Sequence, residues 1–177
     1  ALPHYWRRRG YYAESYLLLH RRLGENCELS LATHALALAA VLHEMSTDTY
    51  YWGQNLADDT EFMRLVEAAD ALISRCWEQG ESYAAARLMV AAGRLYERRE
   101  DVDLSERYAR QARAIFTEQE DIRGTASAVI LLVSLLLFQS KYDEALDVLE
   151  EIIPGLEHNR MTWCLCEAYW LQSEIAR

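Results

Sequence analysis

The chain has 177 residues, 51% of them apolar and 26% charged, with only 7 glycines and 2 prolines. This excludes a disordered, collagen-like or low-complexity polypeptide and speaks against a turn-rich β-sandwich. Acidic residues outnumber basic ones 28 to 18, a formal charge of −10, so most of the surface repels a polyanion and nucleic acid is not an expected partner.

Tyr12 to Leu23 and Leu29 to Met45 carry helical patterns. The second is crowded with Ala32, Ala35, Ala37, Ala39 and Ala40, which lets a neighbouring backbone approach closely. Ser46 to Asp58 is expected to be one long irregular connection, polar except for Tyr50, Tyr51 and Trp52; connections of that length are uncommon in compact helical proteins. From Phe62 the periodicity is clearest: Phe62, Leu65, Val66, Ala69, Leu72, Ile73, Cys76 and Trp77 form one apolar helix face.

Gly80 breaks that helix, and Tyr83, Ala86, Met89, Val90, Gly93 and Tyr96 mark the next. Asp103 or Ser105 is placed to cap a helix whose apolar face is Tyr108, Ala109, Ala112, Ile115 and Phe116. Ala126 to Phe138 is a very apolar run, too short for the roughly 20 residues that span a bilayer and so expected as a buried helix. Tyr142, Ala145, Leu146, Leu149, Ile152 and Ile153 follow, with Pro154-Gly155 expected to stop the helix. A last helical run carries Trp163, Cys166, Tyr169, Trp170 and Ile175. No segment alternates as a strand does.

No transmembrane segment or signal peptide is expected, and the chain reads as intracellular, in cytoplasm or nucleus, with no membrane partner. Its first residue is not Met and no stop signal follows Ile175, so a fragment of a longer chain is expected. Cys27, Cys76, Cys164 and Cys166 lack disulfide spacing and are expected as reduced core residues.

The chemistry of catalysis is not nominated. Cys164 and Cys166 are separated by one residue, about 200° apart on a helix, so with His158 they do not converge on a metal. His4, His20, His34 and His43 have no partner at ligand spacing, the glycines form no phosphate loop, and no serine sits in a G-x-S-x-G elbow. No enzyme, cofactor or metal is therefore expected. The polar signal that remains is Arg7, Arg8 and Arg9 beside Trp6 and Tyr11, with Arg21-Arg22 and Arg98-Arg99 as further pairs. Guanidinium and aromatic groups together suit acidic or phosphorylated peptides. Trp6, Arg7, Arg8, Arg9, Tyr11, Tyr50, Tyr51 and Trp52 are the candidate partner-binding residues; the plainer reading is a solvated face with aromatics tucked beneath it.

About eight helices joined by short polar turns, with a small-and-aromatic vocabulary recurring roughly every 40 residues, predict an all-α fold: an α-solenoid of antiparallel helical hairpins in a single domain over 1–177. Ser140 to Pro154, with Tyr142-Asp143-Glu144-Ala145, Leu149 and Pro154, resembles the second half of a tetratricopeptide repeat. Val129, Leu132, Val133 and Leu136 occupy the first half, Val133 standing where that superfamily prefers a small residue. Met89, Ala92, Gly93 and Tyr96, then Ala109, Arg113 and Phe116, give a second unit whose turn is lengthened by an acidic insertion at Glu100 to Leu104. Leu2-Pro3 leads into Glu14-Ser15-Tyr16, and Ile153-Pro154 into Glu167-Ala168-Tyr169. With the stretch Ser105 to Leu132, these features resemble the subunit 5 family of the anaphase-promoting complex. That resemblance implies a tetratricopeptide-like superhelix and a non-catalytic scaffold of a multi-subunit ubiquitin ligase in the cell cycle, with protein subunits or peptides as partners. Bacterial regulators with tetratricopeptide domains share the Ala-Arg-Ala-Ile-Phe style of turn, which leaves a sensory domain binding a peptide or small effector as the alternative.

Overall fold

The computed structural model describes residues 30–52 and 60–177, with the side chains of 44, 45, 47–52 and 60–65 outside that description. The described residues form seven helices and no strand: α1 Leu31–Trp52, α2 Thr60–Glu78, α3 Ser82–Arg98, α4 Val102–Glu118, α5 Ile122–Phe138, α6 Tyr142–His158 and α7 Thr162–Ile175. The fold is all-α, as the periodicity predicts. The helix expected over Tyr12 to Leu23 lies outside the described residues.

Ser30 opens α1 by accepting the Thr33 amide at 3.3 Å. The helix then runs through Trp52, so the first half of the expected irregular connection is helical. Ser46 shows how a polar residue continues it: buried, it donates its hydroxyl to the His43 carbonyl one turn back at 2.8 Å. Residues 53–58 of that connection lie outside the described residues.

From α3 onward the chain keeps a strict period. Helices begin at residues 82, 102, 122, 142 and 162, each after a three-residue turn. The middle residue of every turn is left-handed: Gly80, Glu100, Glu120, Ser140 and Arg160 have φ between 54° and 75°. The next amide reaches back five residues to a carbonyl, Glu81 to Cys76, Asp101 to Tyr96, Asp121 to Phe116, Lys141 to Leu136 and Met161 to Leu156, at 2.8 to 3.1 Å. This is the Schellman closure, which satisfies the carbonyls that a helix end leaves open. Four of the five left-handed residues are not glycine, so the bonds of the turn offset a conformational cost of about 1 kcal/mol each.

This period corrects three readings of the sequence. Glu100 to Leu104 is not an insertion, because Glu100 and Asp101 belong to a turn of the same length as the others and Leu104 to α4. The cap of α4 is Asp101, which accepts the Leu104 amide at 3.3 Å, while Ser105 is buried inside the helix. Asp121 caps α5 likewise, accepting from Gly124 at 3.0 Å. Pro154 does not stop α6, which continues to His158. The proline removes one amide, whose partner would be the Glu150 carbonyl on the exposed side where water can replace it, and Leu156 beyond is fully buried.

Contacts divide the chain into two compact units, one ending at Leu95 and one beginning at Tyr96. In the first, α1 and α2 pack together through residues such as Ala35, Leu38, Leu42, Val66, Ala69 and Ile73. In the second, the last turn of α3 sets Tyr96 edge-on to Tyr108 of α4, with ring centroids 6.0 Å apart. Each helix from α4 to α7 packs on the next, and α5 also packs on α7. Two layers result: α5 beside α7, and α4 bridged to α6 by ion pairs. Buried on almost every side, α5 supplies most of the core, which is why its sequence is a continuous apolar run.

Gly155 sits in α6 with ordinary helical φ and open space where a Cβ would be. Gly155→Ala is expected to stabilise the chain by about 0.5–1 kcal/mol, read as a higher urea midpoint at unchanged slope.

Candidate functional site

Trp6, Arg7, Arg8, Arg9 and Tyr11 lie outside the described residues. Tyr50, Tyr51 and Trp52 form the last turn of α1, on helical backbone rather than in a loop, and their side chains lie outside the description. The site that the described residues do build is the edge of α6 and α7.

The twenty-residue period lets each position of α7 be compared with its counterpart in α5. Ala126, Val129, Ile130 and Val133 of α5 are buried, and so are Ala86, Met89, Val90 and Gly93 of α3. At the same four places α7 carries Cys166, Tyr169, Trp170 and Ser173, all exposed; Trp170 is 52% accessible and Tyr169 45%. Its opposite face is seated normally, with Ala168 and Leu171 buried against the core. Trp163, 65% accessible, continues the aromatic surface two turns before Trp170. An aromatic face of this kind is the composition of an interface core rather than of ordinary solvated surface.

The outer layer sets the charge beside it. Arg110 of α4 donates to Glu106 at 2.8 Å and to Glu144 of α6 at 2.5 Å, and Arg113 donates to Glu151 of α6 at 2.5 Å. On the far side of α6, forty residues after Arg110 and Thr117, stand Glu150 and Glu157, both exposed. Tyr169 donates its phenol to Glu157 at 2.6 Å, fixing the ring over the α6–α7 seam, and that carboxylate holds the phenol above its usual pKa.

Glu106 also accepts from the Gln139 amide at 2.7 Å. That bond, with Arg110, holds its carboxyl below the ordinary value of 4.5. A depressed folded-state pKa adds stability that is present above the unfolded value and lost as pH falls through the folded one. Glu106→Gln is therefore expected to lower stability at pH 7 and to flatten the loss of stability below about pH 4.5, as followed by thermal melts from pH 7 to 3.

The cysteines correct a further expectation. Cys76 is buried, and desolvation together with Glu81 raises its thiol pKa; Cys164 is half-buried and also raised by desolvation. Cys166 is an exposed free thiol and not a core residue, because it faces the open side of α7. No group of three His, Cys, Asp or Glu side chains converges as a metal site among the described residues. A shallow depression of about 200 Å³ lies between α4 and α6, lined by Arg113, Thr125, Val148, Ile152 and Gly155. It exists because Gly155 stands where Leu95, Ile115, Leu135 and Ile175 stand in the neighbouring repeats. No described helix is long and apolar enough to cross a membrane.

The signal that could have located this edge is the period itself, but its carriers share no residue type, since a Schellman turn is made by backbone. No protein-family model matches the chain, and no curated protein or solved structure is significantly similar to it.

Proposed function

We propose that this chain is a non-catalytic protein–protein interaction scaffold, an α-solenoid of helical hairpins whose α7 edge docks another chain. The observation that carries the reading is the exposure of Cys166, Tyr169, Trp170 and Ser173 at places that the alternate helices α3 and α5 bury. Repeat arrays stabilise each unit through its neighbours, so an apolar unit face is a natural docking surface. The twenty-residue helix period gives a forty-residue hairpin, longer than the roughly 34 residues of a standard tetratricopeptide unit. Within this class, the resemblance of the sequence to the subunit 5 family of the anaphase-promoting complex favours a tetratricopeptide-like subunit of a ubiquitin ligase. The sensory-domain alternative has less support, because the depression at Gly155, about 200 Å³, is below the roughly 300 Å³ at which small-molecule sites begin.

The test is isolation of the protein from its own cells at moderate salt, with mass spectrometry of what co-elutes. A stoichiometric set of partner subunits, ubiquitin-ligase components among them, is the expected result. A lone chain, or one carrying only a small peptide, overturns the scaffold reading.

A further inference from the structure

The seam between α4 and α6 changes character along its length. Arg110 pairs with Glu144 and Arg113 with Glu151, two charged rungs that tie the helices together. One turn further, at the same 38-residue offset as the second rung, the facing residues are Thr117 and Gly155, both small and both lining the depression. We infer that this hole receives one leucine or isoleucine side chain of a partner protein, with a lysine or arginine beside it against Glu120. The inference rests on the scaffold reading only in taking the ligand to be a protein, and it adds a contact between two helices inside the array, apart from the α7 edge.

Three observations carry it. The first is register. Forty residues before Gly155, Ile115 holds the same place in α4 and is buried, and Leu95 and Leu135 are buried at that place in α3 and α5. The repeat thus puts a branched aliphatic side chain where α6 has none, and no atom lies within 4 Å of the point a Gly155 Cβ would occupy.

The second is the lining. Val148 and Ile152 are buried and Ile122 is half-buried, so the floor is apolar. The helix α6 cannot shift to close the hole, because Leu149 and Leu156 are fully buried on its core side and Glu151 is held by Arg113. Apolar walls beside a void lack contacts that an inserted side chain restores, in the way a knob fills a hole between packed helices. At about 200 Å³ the space suits one such side chain better than a small-molecule ligand.

The third is charge. The ionisable side chains lining the hole are Arg113, Glu151 and Glu120; the first two neutralise each other, and Glu120 is in no ion pair among the described residues. Glu118, Asp121, Arg123, Glu157, His158 and Arg160 lie in the neighbouring turns without lining it. Of these, Asp121 is bound to the Gly124 amide, and the charge of Arg123 acts on Cys164 of α7. Carboxylates outnumber cations in both sets, so a cation beside the aliphatic side chain is complementary and a carboxylate is repelled.

The experiment titrates the isotope-labelled full chain with three blocked alanine-based peptides and follows its amide signals by nuclear magnetic resonance. One peptide carries leucine followed by lysine, one leucine followed by glutamate, and one alanine followed by lysine. The leucine–lysine peptide is expected to shift the Thr117, Ile152 and Gly155 signals saturably. Replacing its leucine by alanine is expected to weaken binding at least tenfold, and replacing its lysine by glutamate at least threefold, a preference that shrinks as salt rises. Gly155→Leu fills the hole from within and is expected to abolish binding while the chain keeps its fold, as circular dichroism melts establish. Glu120→Lys is expected to reverse the preference between lysine and glutamate.

Equal binding of the leucine and alanine peptides, binding that survives Gly155→Leu, or no shift at these three signals overturns the inference. Equal binding of the lysine and glutamate peptides overturns the basic partner. Failure here is distinct from failure of the scaffold reading: partner subunits that co-purify while no peptide binds would sink the hole alone, and a lone chain that still binds the leucine–lysine peptide would sink the scaffold alone.

Discussion

Gly124→Ala is expected to destabilise the chain by about 1–3 kcal/mol, even though alanine is the better helix former by about 1 kcal/mol. A Cβ at this position would lie 2.5 Å from Cγ of Phe116 and 2.6 Å from a carboxylate oxygen of Asp121. Asp121 is the cap of the same helix, and Phe116 is fully buried with its carbonyl closing the turn before it. Neither can withdraw without loosening the α4–α5 hairpin. Phe116→Ala alone leaves a cavity and is expected to cost about 3–5 kcal/mol. In that background the clash with the ring is gone and only the Asp121 carboxylate has to shift, so Gly124→Ala is expected to cost less than it does beside Phe116. A double-mutant cycle by urea denaturation reads this coupling directly; costs that simply add would show that ring and glycine are not in contact.

Ala145→Leu is expected to cost about 1–3 kcal/mol by overpacking. The fourth residue of each helix from α3 to α6 is small: Ala85, Ser105 and Ala145 are buried and Thr125 is half-buried. Among the periodic helices α7, whose outer side is open, differs in carrying a leucine there, Leu165, itself half-buried. Small residues at this level let the antiparallel helices approach, and a branched side chain forces them apart. The control is Ala114→Leu, at an exposed position of α4, expected to change stability by no more than about 0.5 kcal/mol. Equal effects at both sites in chemical denaturation would contradict close packing at Ala145.

The sequence made the helices from Phe62 onward legible, because α2, α4 and α6 bury one side and leave the other in water, which is what a 3.6-residue period records. The apolar run of α5 was legible as a buried helix for the opposite reason. What misled were residues whose usual meaning depends on their neighbours. Asp103 and Ser105 look like caps, but capping belongs to the last non-helical residue, Asp101. Pro154 looks like a stop, but it gives up a single bond on the exposed side. Ser46 looks like the start of a loop, yet it satisfies its hydroxyl within α1.

The candidate site was only half legible. The sequence places Cys166, Tyr169 and Trp170 on one apolar face of a helix; it cannot say whether another helix covers that face. Periodicity reports the capacity for burial, and accessibility in the fold reports its absence. Locating the depression at Gly155 needed the register, and the register is set by turns whose left-handed residues range from glycine to arginine.

The most direct measurement of the docking edge is the rate of thiol alkylation, residue by residue, in the isolated chain and in the complex recovered from cells. In the isolated chain Cys166 should react as a free thiol, Cys164 more slowly, and Cys76 not at all on the same timescale. In the complex Cys166 should become protected while Cys76 is unchanged. A Cys166 that reacts equally in both states, or that is already protected in the isolated chain, would contradict the assignment of α7 as the docking edge.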